Sequence, residues 1–354
     1  MSQPNASHIP LSLDEFDRIT QLFASVLSTA HAPVVIPGEA ILGIEAMAAG
    51  IAAPGRSILN IVTGPYGSLF GSWLERGGAT VAEVKVSFDK VVTVREVHEA
   101  IKRHSPCAIS FVQAEVVTGG SNPAKEILEI AREYQLVTIM DSVSAVGGEQ
   151  LLTDEWGVDL VAIGAQKALA GPNGISAVGI SPRGWEFIET NPHAPRNSIL
   201  SLLDLKPSSD RSAARRVPPN LPSLEGRALI TALSRIEEEG LEQVIRRHEL
   251  AAASFHAGAA QLGLTPWQQD SHFYSTLTST IRIADEPRLH IDQPIGIVAP
   301  GDGELFGQLL RVNHFGLNAS KEGVSTALIT LAELLKHSPE AALTAAAEIW
   351  EGRA

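Results

Sequence analysis

Between residues 34 and 182 the chain alternates short, nearly uninterrupted apolar runs with longer segments whose apolar positions recur every three or four residues. The short runs are PVVIP, SILNIVT, TVAEVKV, CAISFVQ, LVTIMD, LVAIGA and SAVGIS. They have the length of strands, and most lack the strict alternation of a half-exposed sheet. Segments such as PAKEILEIAREY lie between them and read as amphipathic helices. Strands separated by helices predict an α/β architecture with a mostly parallel, seven-stranded sheet covered on both faces.

The flanks differ. Residues 13–29 space their apolar side chains at helical intervals, and Ser12-Leu13-Asp14-Glu15 resembles a capped start, so an interface or arm helix is expected there. Residues 183–235 are richer in Pro, Ser and Arg and read as an extended, loop-rich connection. A helical stretch beginning GRALITALSRIEEEG follows, interrupted at Gly240. In the last third, YSTLTSTIRIAD, IGIVAP and QLLRVNHF are strand-like, while TALITLAELLKH and PEAALTAAAEIW are helical. The expected division is an N-terminal helical arm over 1–30, a large domain over 31–244 and a smaller α+β C-terminal domain over 245–354.

Composition narrows the function classes. Asp and Glu number 40 against 27 Lys and Arg, and a formal net charge of -13 argues against nucleic acid, whose phosphates need a basic footprint. A hydrophobic fraction of 44% argues for a globular chain with extensive buried surface. A single cysteine, Cys107, excludes a disulfide framework and a multi-cysteine metal site and fits a reducing cytoplasm, and no metal is expected. The N-terminus shows no basic region followed by an apolar core, and no run approaches the ~18 apolar residues of a membrane span, so a soluble cytoplasmic protein is expected.

Candidate chemistry gathers in the turns after the predicted strands: Gly38-Glu39, Gly64-Pro65-Tyr66-Gly67, Thr118-Gly119-Gly120, Asp141-Ser142 and Gly164-Ala165-Gln166-Lys167. Ligands of open α/β sheets bind at that edge. Lys167 follows a buried run, where an amine loses part of its hydration, its pKa falls and it becomes able to attack an aldehyde. A lysine after a strand is, by itself, weak evidence and more often an ordinary exposed turn lysine. Asp141 ends another strand 26 positions earlier, so neighbouring strand ends can bring both side chains into one pocket. A carboxylate against a pyridine nitrogen keeps the ring protonated and electron-withdrawing.

These residues carry a family resemblance. The stretch TIMDSVSAVGGEQLLTDEWGVDLVAIGAQKALAGPNGISAVGISPRGWE resembles the core of the class V, fold-type I pyridoxal-phosphate aminotransferases, and the likeness extends over about residues 34–320. The resemblance implies a homodimer or dimer of dimers, Lys167 as the Schiff-base lysine and Asp141 as the partner of the pyridine nitrogen. It places Val143 beneath the ring, Tyr66 stacked above it and Thr118 near the ring hydroxyl. Ala40 and Gln166 join the cofactor-binding set, and Arg311, in LLRVNHFG, grips the substrate carboxylate. His314 nearby reads as structural.

One position departs from the family. Members usually read Gly-Ser-Gly-Thr where the cofactor's 5′-phosphate meets a helix N-terminus, and here the positions read Gly38-Glu39-Ala40-Ile41. A carboxylate within about 4 Å of a phosphate dianion costs several kcal/mol at an intermediate dielectric. Glu39 can instead cap the helix and accept a hydrogen bond from a neutral alcohol. The stretches GEAILGIEA and NPHAPRNSILSLLD are similar to the branch of the family that handles the unphosphorylated vitamin as a substrate. That resemblance implies transamination of pyridoxamine with pyruvate to pyridoxal and L-alanine, in vitamin B6 breakdown. Asp302 stands where that branch carries a second arginine for pyruvate. The alternatives are a phosphate-cofactor enzyme of the alanine-glyoxylate or serine-pyruvate type, with Glu39 only a cap, and a vitamer-binding or lyase homologue.

Overall fold

The structure, a computed structural model, describes residues 9–207, 217–218 and 220–352. Residues 1–8 of the expected arm, and 208–216 and 219 of the expected loop-rich connection, lie outside the described residues. The chain begins with α1 (Leu13–Leu27), whose start is a capping box: Ser12 Oγ accepts the Glu15 N–H at 3.1 Å and Glu15 Oε2 accepts the Ser12 N–H at 2.8 Å. Three-layer α/β structure follows. β1 (Val34–Ile36), β2 (Ser57–Val62), β3 (Thr80–Lys85) and β4 (Ala108–Val112) are separated by α2 (Ala40–Ile51), α3 (Pro65–Arg76) and α4 (Val94–His104). A short hairpin of β5 (Ala114–Glu115) and β6 (Gly120–Ser121) precedes α5 (Ala124–Glu133) and β7 (Val137–Asp141). Then come α6 (Thr153–Trp156), β8 (Leu160–Gly164), β9 (Ser176–Ile180) and α7 (Pro182–Glu189).

The seven long runs form one sheet in the order β1-β9-β8-β7-β4-β2-β3, parallel throughout its centre, with β9 antiparallel to both its neighbours. Side chains alternate between two separate cores. Val161 and Ile163 of β8 pack on one face with residues of α1, α4, α5 and α8 (Ser223–Glu239), while Leu160 and Ala162 pack on the other with α2, α3 and α7. This explains why the strand sequences are continuously apolar: a strand covered on both faces has no solvent side. Each fully buried Leu, Ile, Val or Phe contributes roughly 1.5–3 kcal/mol of transfer free energy.

α1 lies against α8 of its own chain, burying Ile19, Leu22, Phe23, Val26 and Leu27 in the first core. α7 was not expected: residues 182–189 stand in the stretch read as loop from its composition. Pro182 sits in the first turn, where its missing N–H is harmless, and the Ser181 hydroxyl accepts the Gly184 N–H at 3.0 Å. α8 ends at Gly240, with φ 87°, and α9 (Leu241–Gln261) starts immediately after it. A third core joins α9, α10 (Lys321–Leu335) and α11 (Glu340–Trp350) to an antiparallel sheet of β10 (Ser279–Arg282), β12 (Leu309–Val312) and β11 (Val298–Pro300), with β12 central. Position 245 lies within α9. Among the described residues no helix is long and apolar enough to cross a membrane.

The C-terminal third touches the large sheet's edge through Gly316. Its N–H donates to His248 Nε2 at 3.0 Å, its φ is +63°, and a Cβ built there would stand 2.8 Å from the Lys167 carbonyl oxygen. Only glycine meets both conditions without strain. Gly316→Ala is therefore expected to destabilise the chain by about 1–3 kcal/mol, read as a lower urea midpoint at unchanged slope; an unchanged midpoint would show that this contact carries no load.

Candidate active site

β1 runs parallel to β8, because each is antiparallel to the strand between them. The carboxyl ends of β1, β8, β7, β4 and β2 therefore share one edge, and the turns leaving it supply Glu39, Lys167, Asp141 and Tyr66. A cavity of ≈ 120 Å³ opens there, lined by Glu39, Ile41, Ile44, Tyr66, Val112, Asp141, Val143, Ser144 and Lys167. Among the expected site residues, Ala40, Gln166, Thr118 and Arg311 stand outside this lining. Gln166 still reaches it, since its side-chain amide donates to Glu39 Oε1. Thr118 is buried away from the cavity: the turn that carries it folds onto β10, and its carbonyl accepts from Gln268 Nε2 at 3.0 Å and Thr280 Oγ1 at 2.8 Å.

Burial sets the charge states. Asp141 is held by the Val143 N–H, which donates to Oδ1 at 2.9 Å, yet dehydration dominates and pushes its carboxyl up to about 6, with Lys167 opposing. Dehydration also lowers the Lys167 amine; Asp141, Glu39 and Glu115 pull it back up, and Arg311 pushes it down. Lys167 Nζ donates to Ser144 Oγ at 2.5 Å and lies 5.8 Å from the centre of the Tyr66 ring. Arg311 on β12 is thus close enough to be felt by Lys167, and Asp302 close enough to help raise the Tyr66 hydroxyl, whose shift burial dominates. His314 is buried with Nε2 2.8 Å from Ser279 Oγ, behind β12 rather than in the cavity lining.

Glu39 is the N-cap of α2, and its Oε2 accepts the Ile41 N–H at 2.7 Å. The backbone donor that would meet a phosphate is therefore already engaged, by a group of the same charge. The cavity suits a pyridine ring, with an apolar and aromatic lining, a carboxylate and a dehydrated amine whose pKa burial lowers. A phosphate beside Glu39 would meet a carboxylate of like charge.

Residues missed in the sequence are Ser144, Ile41, Ile44, Val112 and Glu115. Ser144 had a signal, as the second serine of the DSVS run after Asp141. Glu115 had none. It is buried under α3, where Oε1 accepts the Gly67 N–H at 2.8 Å. A Cβ on Gly67 would lie 2.9 Å from the Ile61 carbonyl oxygen, so only glycine lets the first turn of α3 come this close.

Residues 38–196 match the sequence model of the family described as Aminotransferase class-V. The chain is similar to pyridoxamine–pyruvate transaminase of Mesorhizobium japonicum, 29% identical over 89% of this chain and 82% of the relative. It is 26% identical to rat alanine–glyoxylate aminotransferase over 92% of this chain and 80% of that one. The crystal structure of pyridoxamine-pyruvate aminotransferase from Mesorhizobium loti superposes with a TM-score of 0.88 at 26% identity, covering 96% of this chain and 89% of that one.

Dehydration also pushes the Glu115 carboxyl up to about 7, with the Gly67 N–H opposing and Asp141 adding to the rise. A carboxyl whose folded pKa lies above its unfolded one stabilises the fold below the unfolded value and loses that contribution as pH rises through the folded value. Between pH ~4.5 and ~7 the native chain holds the extra proton, so stability falls across that window. Glu115→Gln is expected to flatten this fall and to raise the chain's melting temperature at pH 8 relative to wild type. Parallel melting curves against pH would show that Glu115 does not titrate there.

Proposed function

We propose that the chain is a class V aminotransferase of fold type I whose vitamin substrate is unphosphorylated: pyridoxamine and pyruvate are converted to pyridoxal and L-alanine, and back. The observation that supports this most directly is the Glu39 carboxylate seated on the α2 N-terminus, engaged by the Ile41 N–H and the Gln166 amide. A free 5′-hydroxyl can donate to that carboxylate, whereas a phosphate is repelled by it. The similarity to a pyridoxamine–pyruvate transaminase along most of both chains supports the same reading.

The bound ring, protonated at nitrogen, supplies a sink for the electrons released when the amino acid's Cα–H bond breaks. Asp141 would hold that ring proton when ionised; dehydration, which pushes its carboxyl up to about 6, opposes that ionisation, and the ring's positive charge would favour it. Lys167, whose amine burial makes easier to deprotonate, would attack the vitamin's carbonyl carbon with loss of water and, once the amino acid's amine has displaced it, would carry the proton between Cα and C4′. Ser144 fixes the direction of the amine. Val143 and Tyr66 wall the ring, and Arg311 holds the carboxylate of the amino or oxo acid. In the family's other reading, a phosphorylated cofactor stays bound and glyoxylate or pyruvate accepts the amino group.

Mixing the protein with pyridoxamine and pyruvate is expected to yield pyridoxal and alanine without added phosphorylated cofactor. Lys167→Ala should lower kcat by about 10²–10⁴-fold. A yellow chromophore that survives dialysis, identified as the 5′-phosphate, would overturn the proposal; so would binding of both vitamers without turnover of any oxo acid. Glu39→Ser should raise the affinity for pyridoxal 5′-phosphate relative to pyridoxal by at least about tenfold, measured by absorbance titration. An unchanged ratio would remove the charge argument.

A further inference from the structure

Arg311 already holds a carboxylate. Its Nη1 stands 3.0 Å from Asp302 Oδ2 and its Nη2 donates to Asp302 Oδ1 at 3.2 Å, while Nε donates to the Pro300 carbonyl at 3.2 Å. This is the two-point geometry with which a guanidinium takes a substrate carboxylate. The two partners are unequal: the Arg311 side chain is 16% exposed and that of Asp302 is 58% exposed. Arg311 is fixed on β12 with strands on both sides, Thr280 and Ala299 being its partners in register. Asp302 sits on the loop after β11, flanked by Gly301 and by Gly303 with φ 56°. Asp302 also begins a short 3₁₀ turn over Gly303–Leu305, its carbonyl accepting the Leu305 N–H at 3.0 Å, so its backbone is anchored and only its exposed side chain is free to swing away.

Resting on the reading of Arg311 as the carboxylate holder, we infer that Asp302 is a tethered competitor for Arg311, displaced by the incoming acid, and that it restricts the acid to monocarboxylic amino and oxo acids. An ion pair with one mostly exposed member is weak, so displacement is easy, and the penalty is the fraction of time that Arg311 is occupied, about threefold to tenfold in apparent affinity. A displaced Asp302 remains tethered close by with its charge intact. A second carboxylate on the substrate meets that charge beside a cavity lined by Glu39 and Asp141, whereas pyruvate or alanine has no second carboxylate to present. The residue thus permits one anion at Arg311 and opposes two.

The test is calorimetric titration of pyruvate, and separately of 2-oxoglutarate, into the full chain with no vitamer added, comparing wild type with Asp302→Asn and Asp302→Ala. Both variants are expected to bind pyruvate about threefold to tenfold more tightly, and 2-oxoglutarate by a larger factor. In the reaction with pyridoxamine, KM for pyruvate should fall by the same factor with kcat within about twofold. Equal or weaker pyruvate binding in both variants would overturn the inference, weaker binding meaning that Asp302 only braces Arg311; so would absence of binding to all three proteins. If pyridoxamine is not turned over but the variants still bind pyruvate more tightly, the reaction reading fails and this inference stands. If transamination proceeds and pyruvate binding is unchanged, only this inference fails.

Discussion

Burial of the central strands on both faces is the constraint on which the rest of the molecule depends. Every residue of β4, β7, β8 and β9 is buried, so polar side chains cannot leave the sheet through its faces and collect where the strands end. Asp141 is the last residue of β7, Lys167 lies in the turn after β8, and Val112 at the end of β4 is paired in register with Asp141. The same dehydration that favours packing of the strands acts on the groups at their ends, raising the acids and lowering the amine. A dehydrated lysine and a buried carboxylate in one cavity are thus consequences of where the sheet stops.

Two helices begin at this edge, and a side-chain carboxylate meets each N-terminus. Glu39 caps α2, and Glu115 accepts from Gly67 in the first turn of α3. At least one backbone donor at each N-terminus is therefore occupied by a carboxylate from within the chain. Glu39, Asp141, Glu115 and Asp302 lie around Lys167 and Arg311, an excess of acid that disfavours dianions. Arg311 is the exception in sign, and it too has a carboxylate on it.

Much of this was legible along the chain. The apolar runs reported the strands because their period reflects coverage on both faces, Ser12 and Glu15 reported the start of α1, and Gly240 reported the break between α8 and α9. Asp141 and Lys167 could be singled out because charge after an apolar strand is costly wherever the fold puts it. α7 was hidden, since Pro182 and Gly184 read as loop-formers while a first-turn proline and a serine cap are also how a helix starts.

The sequence by itself determined the sheet, its two buried faces, the edge at which chemistry gathers and the carboxylate on α2, because each follows from local composition and short-range periodicity. Only the tertiary structure decided which of those groups meet. Gln166 reaches Glu39 from 127 positions away, Glu115 reaches Gly67 from 48, and Lys167 finds Ser144 from 23. Periodicity tells a side chain which face to take. Which partner stands there depends on strand order and helix placement, and those are set by the summed packing of the whole chain rather than by any segment of it.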